Sequence, residues 1–99
     1  MATFYVNWQE LQNKASELEG FNTKLKAECE AYKQNADSLK ASFEGDVATD
    51  FYTEAQKHLE QMNLFVDLVS KYVQAMRTMA ENAKKREAEA QAVVSNKNY

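Results

Sequence analysis

The chain has no proline, two glycines, one cysteine and one histidine. Each scarcity removes a class of structure. A β-sandwich or barrel turns many times, and two glycines with no proline do not supply those turns. A lone Cys29 closes no intrachain disulfide and cannot start a multi-cysteine zinc site. No apolar run approaches the ~20 residues that cross a bilayer. The start, Met1-Ala2-Thr3-Phe4-Tyr5-Val6-Asn7-Trp8, shows neither the basic stretch nor the long apolar core of a cleaved secretory signal. Positive charge is not in excess: 12 Lys and Arg against 15 Asp and Glu leave a net −3, with no general attraction to nucleic acid or an anionic membrane. What is there is a 44% hydrophobic content in 99 residues. That is too apolar for a disordered tail and long enough for one small domain.

The apolar residues carry a helical period. In the first half Phe4, Leu11, Leu18, Leu25, Tyr32 and Leu39 recur every seven residues, interleaved with Trp8, Ala15, Asn22, Cys29, Ala36 and Phe43. The alternating steps of four and three make a heptad stripe, with large side chains at one position and mostly small ones at the other. Helix one is expected over about 8–40. Gly20 falls on its outer side, at about 1 kcal/mol relative to alanine.

The second half repeats the pattern with Tyr52, Leu59, Val66, Val73 and Ala80 against Ala48, Ala55, Met62, Val69, Met76 and Ala83. A third series, Phe51, His58, Phe65, Tyr72 and Met79, widens the stripe beyond what one neighbouring helix covers. Leu64 and Leu68 lie one turn apart on a further side. Helix two is expected over about 47–83. After Met79 the large apolar residues give way to Ala, Glu, Lys and Arg; helix propensity stays high, and residues of about 84–99 are expected as a frayed tail or conditional helix.

Between the halves, Gly45 can end a helix in a left-handed conformation and Asp46 can cap the next, so the turn is placed at about 41–46. Two helices joined by so short a link fold back antiparallel. A pair of long helices is a rod rather than a globule, and leaving large side chains in water forfeits roughly 1.5–3 kcal/mol each. The expected fold is all-α: an antiparallel two-helix hairpin that dimerises into a four-helix bundle. The packing residues expected for the dimer or another partner are Tyr52, Leu59, Phe65, Val66, Val69, Tyr72 and Met76.

Catalytic chemistry is not legible. Glu54 stands one turn before His58, but a bundle metal site needs Glu-x-x-His on facing helices. His58 is therefore expected as a partly buried histidine, and Cys29, on the inner stripe, as a small core residue. No second histidine is present to activate that thiol, and no Gly-rich phosphate loop occurs. No enzyme, cofactor, metal or nucleic-acid ligand is expected, nor stable membrane insertion. Lys84-Lys85-Arg86 is a short basic cluster flanked by Glu81, Glu87 and Glu89, with an export or docking element as its alternative to a solvated face.

The link is more specific than the heptads. Phe43-Glu44-Gly45-Asp46-Val47-Ala48-Thr49-Asp50-Phe51 resembles the signature of the WXG family, the roughly hundred-residue early-secreted-antigen-like proteins of type VII secretion. There, Trp-x-Gly separates two helices and is followed by small residues and an aromatic. Phe43 stands at the tryptophan position, Gly45 at the glycine, Ala48 at a small position and Phe51 at the later aromatic. Phenylalanine keeps the aromatic packing and drops the indole N–H. The family's Tyr-x-x-x-Asp/Glu export pattern has no counterpart, since Tyr72 is followed four residues on by Met76.

The resemblance implies a protein made in the cytoplasm and exported without a cleaved signal to the outside or the cell surface. It would be substrate or co-secreted partner of such a system, with its ATPase as a further partner. A homodimer is expected first; a heterodimer with a related hairpin or a helical toxin domain follows, because a partner would supply the missing export pattern. The alternatives from the residues themselves are a filament-forming structural subunit and a general coiled-coil adaptor.

Overall fold

In the computed structural model, which describes the backbone of residues 7–96 and the side chains of 7–93, Asn7 opens the first helix. Its side-chain oxygen accepts the Glu10 backbone N–H at 3.1 Å, satisfying one of the donors that every helix start leaves free. Helix α1 then runs Trp8–Ser42 and α2 runs Asp46–Asn96. Phe4 and residues 97–99 lie outside the described residues.

The antiparallel hairpin is visible in its cross-helix ladder. Trp8 meets Glu87, Glu19 meets Arg77, Asn22 meets Val66 and Ser70, Tyr32 meets His58, and Asp37 meets Tyr52. The result is a rod of 84 × 23 × 15 Å, in line with the ~76 Å that 51 helical residues span at 1.5 Å each.

The core is the seam that the heptads define. Ala15, Asn22, Cys29 and Ala36 are buried from α1; Ala55, Leu59, Val66, Val69, Val73 and Ala80 are buried from α2. Ala15 and Ala80 reach 0% exposure, because small side chains at the contact let the backbones approach. Leu18 and Met76 pack against the cluster of Ala15, Val69 and Val73.

Asn22 is the polar exception. Its Nδ2 donates to the Val66 carbonyl at 3.1 Å and to Ser70 Oγ at 3.2 Å, whereas its Oδ1 has no partner. A single buried amide in a heptad seam costs stability and fixes the register of the helices.

The turn is tighter than expected, Phe43 to Gly45 alone. Phe43 caps α1 in an extended conformation, its N–H bonded to the Leu39 carbonyl at 3.1 Å. Gly45 has φ +107°, but it stands at the entry to α2 rather than at the end of α1. Its carbonyl accepts the Thr49 N–H at 3.2 Å, so Gly45 holds the cap position and Asp46 is the first helical residue. The Asp46 carboxylate suits the positive end of the helix dipole there.

At the far end the helical alternative holds. Instead of fraying from about 84, α2 continues to Asn96. Lys84–Ala92 consists of strong helix formers, and two contacts hold it: the Trp8 indole donates to Glu87 at 2.8 Å, and the Lys84 ammonium lies 5.1 Å over the Trp8 ring.

Candidate interaction surface

The seam has two edges, and on α2 they carry opposite chemistry. One edge is formed by residues that follow the seam positions: Glu19 after Leu18 on α1, Ser70 after Val69 and Arg77 after Met76 on α2. Arg77 donates to Glu19 at 2.7 Å. That hydrogen bond, reinforced by the opposite charge, holds the Glu19 carboxyl below the usual glutamate range and raises the Arg77 guanidinium. A groove of about 710 Å³ on the hairpin is lined mainly by polar residues, among them Lys33, Gln56, Lys57, Glu60 and Asn63.

The other edge is formed by residues that precede the seam positions. On α2 these are Phe51, His58, Phe65, Tyr72 and Met79, all exposed. Phe65 is 52% exposed and Tyr72 59%. Leu64 and Leu68 extend the same side outward, and on α1 Phe21, one residue before Asn22, occupies the matching edge position, also exposed. Antiparallel packing brings like edges together, so Phe21 belongs to this apolar edge as Glu19 belongs to the polar one. His58 interrupts the strip, with the Tyr32 hydroxyl 3.4 Å from its Nδ1.

At the closed end of the hairpin, Leu39, Phe43, Val47, Ala48 and Phe51 line a hollow of about 410 Å³, rimmed by Lys40 and Glu44. Leu39 and Phe43 end the α1 seam beside the first turns of α2, and both stay exposed. Phe43 is 62% exposed. Beside the hollow, Tyr52 donates to Asp37 Oδ1 at 3.0 Å and the Lys40 ammonium lies 4.2 Å over its ring. The hydrogen bond to Asp37, before desolvation and the negative charge itself, raises the Tyr52 phenol above its ordinary range.

The residues singled out in the sequence divide accordingly. Of the seven expected to pack against a partner, Leu59, Val66 and Val69 are buried in the seam of the hairpin itself, where Tyr52 and Met76 are half-buried; α1 already occupies them. Phe65 and Tyr72 remain outward. In the turn motif Phe43, Gly45, Asp46 and Phe51 are exposed and Ala48 is half-buried. Lys84 is engaged with Trp8, whereas Lys85 and Arg86 are solvent-exposed. His58 is exposed rather than partly buried, because it sits on the edge and not in the seam. Cys29 is a free thiol buried in the seam. Among the described residues no group of three or more His, Cys, Asp or Glu is placed to hold a metal ion, and no helix is long and apolar enough to cross a membrane.

Phe21, Leu39 and Val47 enter this surface beyond the sequence expectation. Phe21 carries a faint signal, a lone aromatic beside the only large polar seam residue. Val47 carries none apart from its nearness to the turn.

The surface area shows the scale of what is left uncovered. A compact monomer of 11.3 kDa exposes about 5,700 Å², and this hairpin exposes 8249 Å². The excess follows from the elongated rod, both of whose edges face water. No protein-family model matches the chain, and no curated protein or solved structure matches it.

Proposed function

We propose that this chain is a non-enzymatic helical hairpin exported by, or co-exported as a partner within, a type VII-like secretion system, and that it works by packing its apolar edge against another helical hairpin. The observation that carries the reading is an antiparallel hairpin with an apolar edge on α2, whose turn presents Phe43-Glu44-Gly45 with Phe51 about one and a half helical turns beyond. That is the layout the resemblance implies. The positive φ of Gly45 supports a specific role for the turn glycine, since an L side chain rarely adopts that conformation.

In this reading the protein is folded in the cytoplasm, passes out without a cleaved signal, and acts outside the cell or at its surface. Lys85 and Arg86, exposed near the far end of α2, are available to the export ATPase or to a helical toxin domain.

The test is export itself. A tagged chain is expressed in its producing cells, with and without the secretion-system membrane ATPase, and culture medium and cytosol are compared. Tagged protein in the medium only when the ATPase is present supports the reading. Retention in the cytosol in both strains, alone or with any co-expressed hairpin partner, overturns it.

A further inference from the structure

The closed end of the hairpin is short of side chains. Along most of the seam α2 contributes larger residues, Leu59, Val66, Val69 and Val73 among them. Seven residues before Tyr52 and Ala55, the same repeat falls on Gly45 and Ala48. A Cβ at Gly45 would meet no atom within 4 Å, so no other group takes up that space. Leu39 and Phe43 on one wall, and Val47, Ala48 and Phe51 on the other, are left flanking the hollow of about 410 Å³. Sites for small molecules have volumes of roughly 300–1,000 Å³, with mostly apolar walls and a few polar groups.

The polar groups here are one of each sign. Lys40 and Glu44 line the rim, and no ion pair among the described residues involves either. Lys40 is held in place all the same. Its ammonium lies 4.2 Å from the centre of the Tyr52 ring, and the Tyr52 hydroxyl donates to Asp37 at 3.0 Å. A ring face occupies one side of an ammonium and leaves its other N–H groups free to donate. The Glu44 carboxylate, exposed in the turn, is free to accept.

We propose that this hollow binds a small apolar molecule with a dipolar head, of the class of α-amino acids with long aliphatic side chains. The tail fills the space that Gly45 and Ala48 leave. The carboxylate of the head meets Lys40, and its ammonium meets Glu44. A purely anionic amphiphile satisfies Lys40 but lies beside the Glu44 carboxylate, and a cationic one meets the reverse conflict. Capture of such a molecule requires neither export nor a second hairpin.

The test is an NMR titration of the isotope-labelled chain with four probes on one eight-carbon skeleton: 2-aminooctanoate, octanoate, octylamine and octanol. 2-Aminooctanoate should bind saturably at about 1 mM, and about threefold or more tighter than the other three. Shifts should be confined to the methyl groups of Leu39 and Val47 and the amides of Phe43, Ala48 and Phe51. Shortening the tail should weaken binding by up to about fourfold per methylene.

Three variants, each checked for native helix content, separate the head from the tail. Lys40→Gln and Glu44→Gln should each weaken 2-aminooctanoate about three- to fivefold, since both charges stand in water, and leave octanol unchanged. Ala48→Leu fills the hollow while keeping both rim charges, and should abolish binding. Octanol that binds as tightly as 2-aminooctanoate, or rim variants without effect on it, would mean a merely apolar patch and overturn the proposal. Shifts spread along Phe65 and Tyr72, or no saturation at 10 mM, would overturn it as well. So would hollow shifts that follow chain concentration without any probe, because a second copy would then be the occupant.

Discussion

The two edges of the hairpin flank the same seam, on the same helices, one residue to either side of it. Glu19, Ser70 and Arg77 occupy one, and Phe51, Phe65, Tyr72 and Met79 the other. Neither edge is needed to hold the helices as helices, and both are solvent-exposed. The polar edge is complete as it stands, because water and the Glu19–Arg77 pair satisfy its groups. The apolar edge is not: each large side chain left about half in water forgoes roughly 1 kcal/mol. The asymmetry is instructive, since a rod with two apolar edges would stack without limit, whereas a rod with one can be covered once.

The sharpest way to break this comparison is to place the same charge on neighbouring residues. Val66 is 3% exposed in the seam and Phe65 is on the edge. Val66→Asp puts an unpaired carboxylate into the interior at about 3–5 kcal/mol, a large share of the stability of so small a domain. Circular dichroism at 25 °C should show most of the helix lost. Phe65→Asp should retain the full helical signal in the same buffer and lose only self-association in sedimentation. Equal loss of helix in both variants would mean that the edge is part of the monomer's core.

That contrast was legible in the sequence only in part. The seam itself was readable from Leu11 to Leu39 and from Ala48 to Ala83, because 3.5-residue spacing of apolar side chains has few other causes. The third series, Phe51 to Met79, was readable as surplus width. What the spacing cannot reveal is which of two adjacent stripes faces α1, and this is why Leu59, Val66 and Val69 stood among the expected partner residues although α1 covers them. The helix ends were less legible for a different reason: Gly45 is compatible with ending one helix or starting the next, and only the Thr49 N–H bond to its carbonyl decides. The Ala- and Glu-rich stretch after Ala83 lacks a stripe, yet propensity and the grip of Trp8 on Lys84 and Glu87 suffice to keep it helical.

Which edge each residue joins depends on the register, and the turn is one of its two determinants. A Cβ at Gly45 would meet no atom within 4 Å, so a substitution there is opposed by the backbone conformation alone. Gly45→Val should cost about 1–3 kcal/mol. For a domain of this size each kcal/mol lowers the melting temperature by about 4–8 °C, a shift that a thermal scan reads directly. Gly20, helical and with open space around it, is the control: Gly20→Ala should raise the melting temperature by gaining about 0.5–1 kcal/mol. A neutral Gly45→Val would show that the turn can be rebuilt without a positive φ.

Asn22 is the second determinant. Asn22→Val removes two hydrogen bonds to Val66 and Ser70, but also removes the buried Oδ1 that has no partner. Because the orphaned acceptor bears its full desolvation cost, the variant should be more stable by about 1 kcal/mol. It should also be less uniquely registered, with extra amide peaks in a nitrogen–proton NMR spectrum as the helices sample a slipped seam. A lower melting temperature with a single set of peaks would show that the amide stabilises as well as specifies.

The smallest expected effect belongs to the polar edge. Arg77 holds the Glu19 carboxyl below its ordinary value of 4.5, through the hydrogen bond first and the charge second. A carboxyl with a depressed folded-state pKa contributes stability above the unfolded value and loses it as pH falls through the folded one. The pair therefore acts above about pH 4.5 and fades below it, and as an exposed pair it is also screened by salt. Melting temperatures of the native chain and of Arg77→Gln should differ slightly at pH 6 and converge by pH 3, or at pH 6 in 1 M sodium chloride. Should the difference persist under both conditions, Arg77 acts through packing of its aliphatic stem rather than through charge. The polar edge would then contribute to the seam as well as to solvation, and its contrast with the apolar edge would narrow.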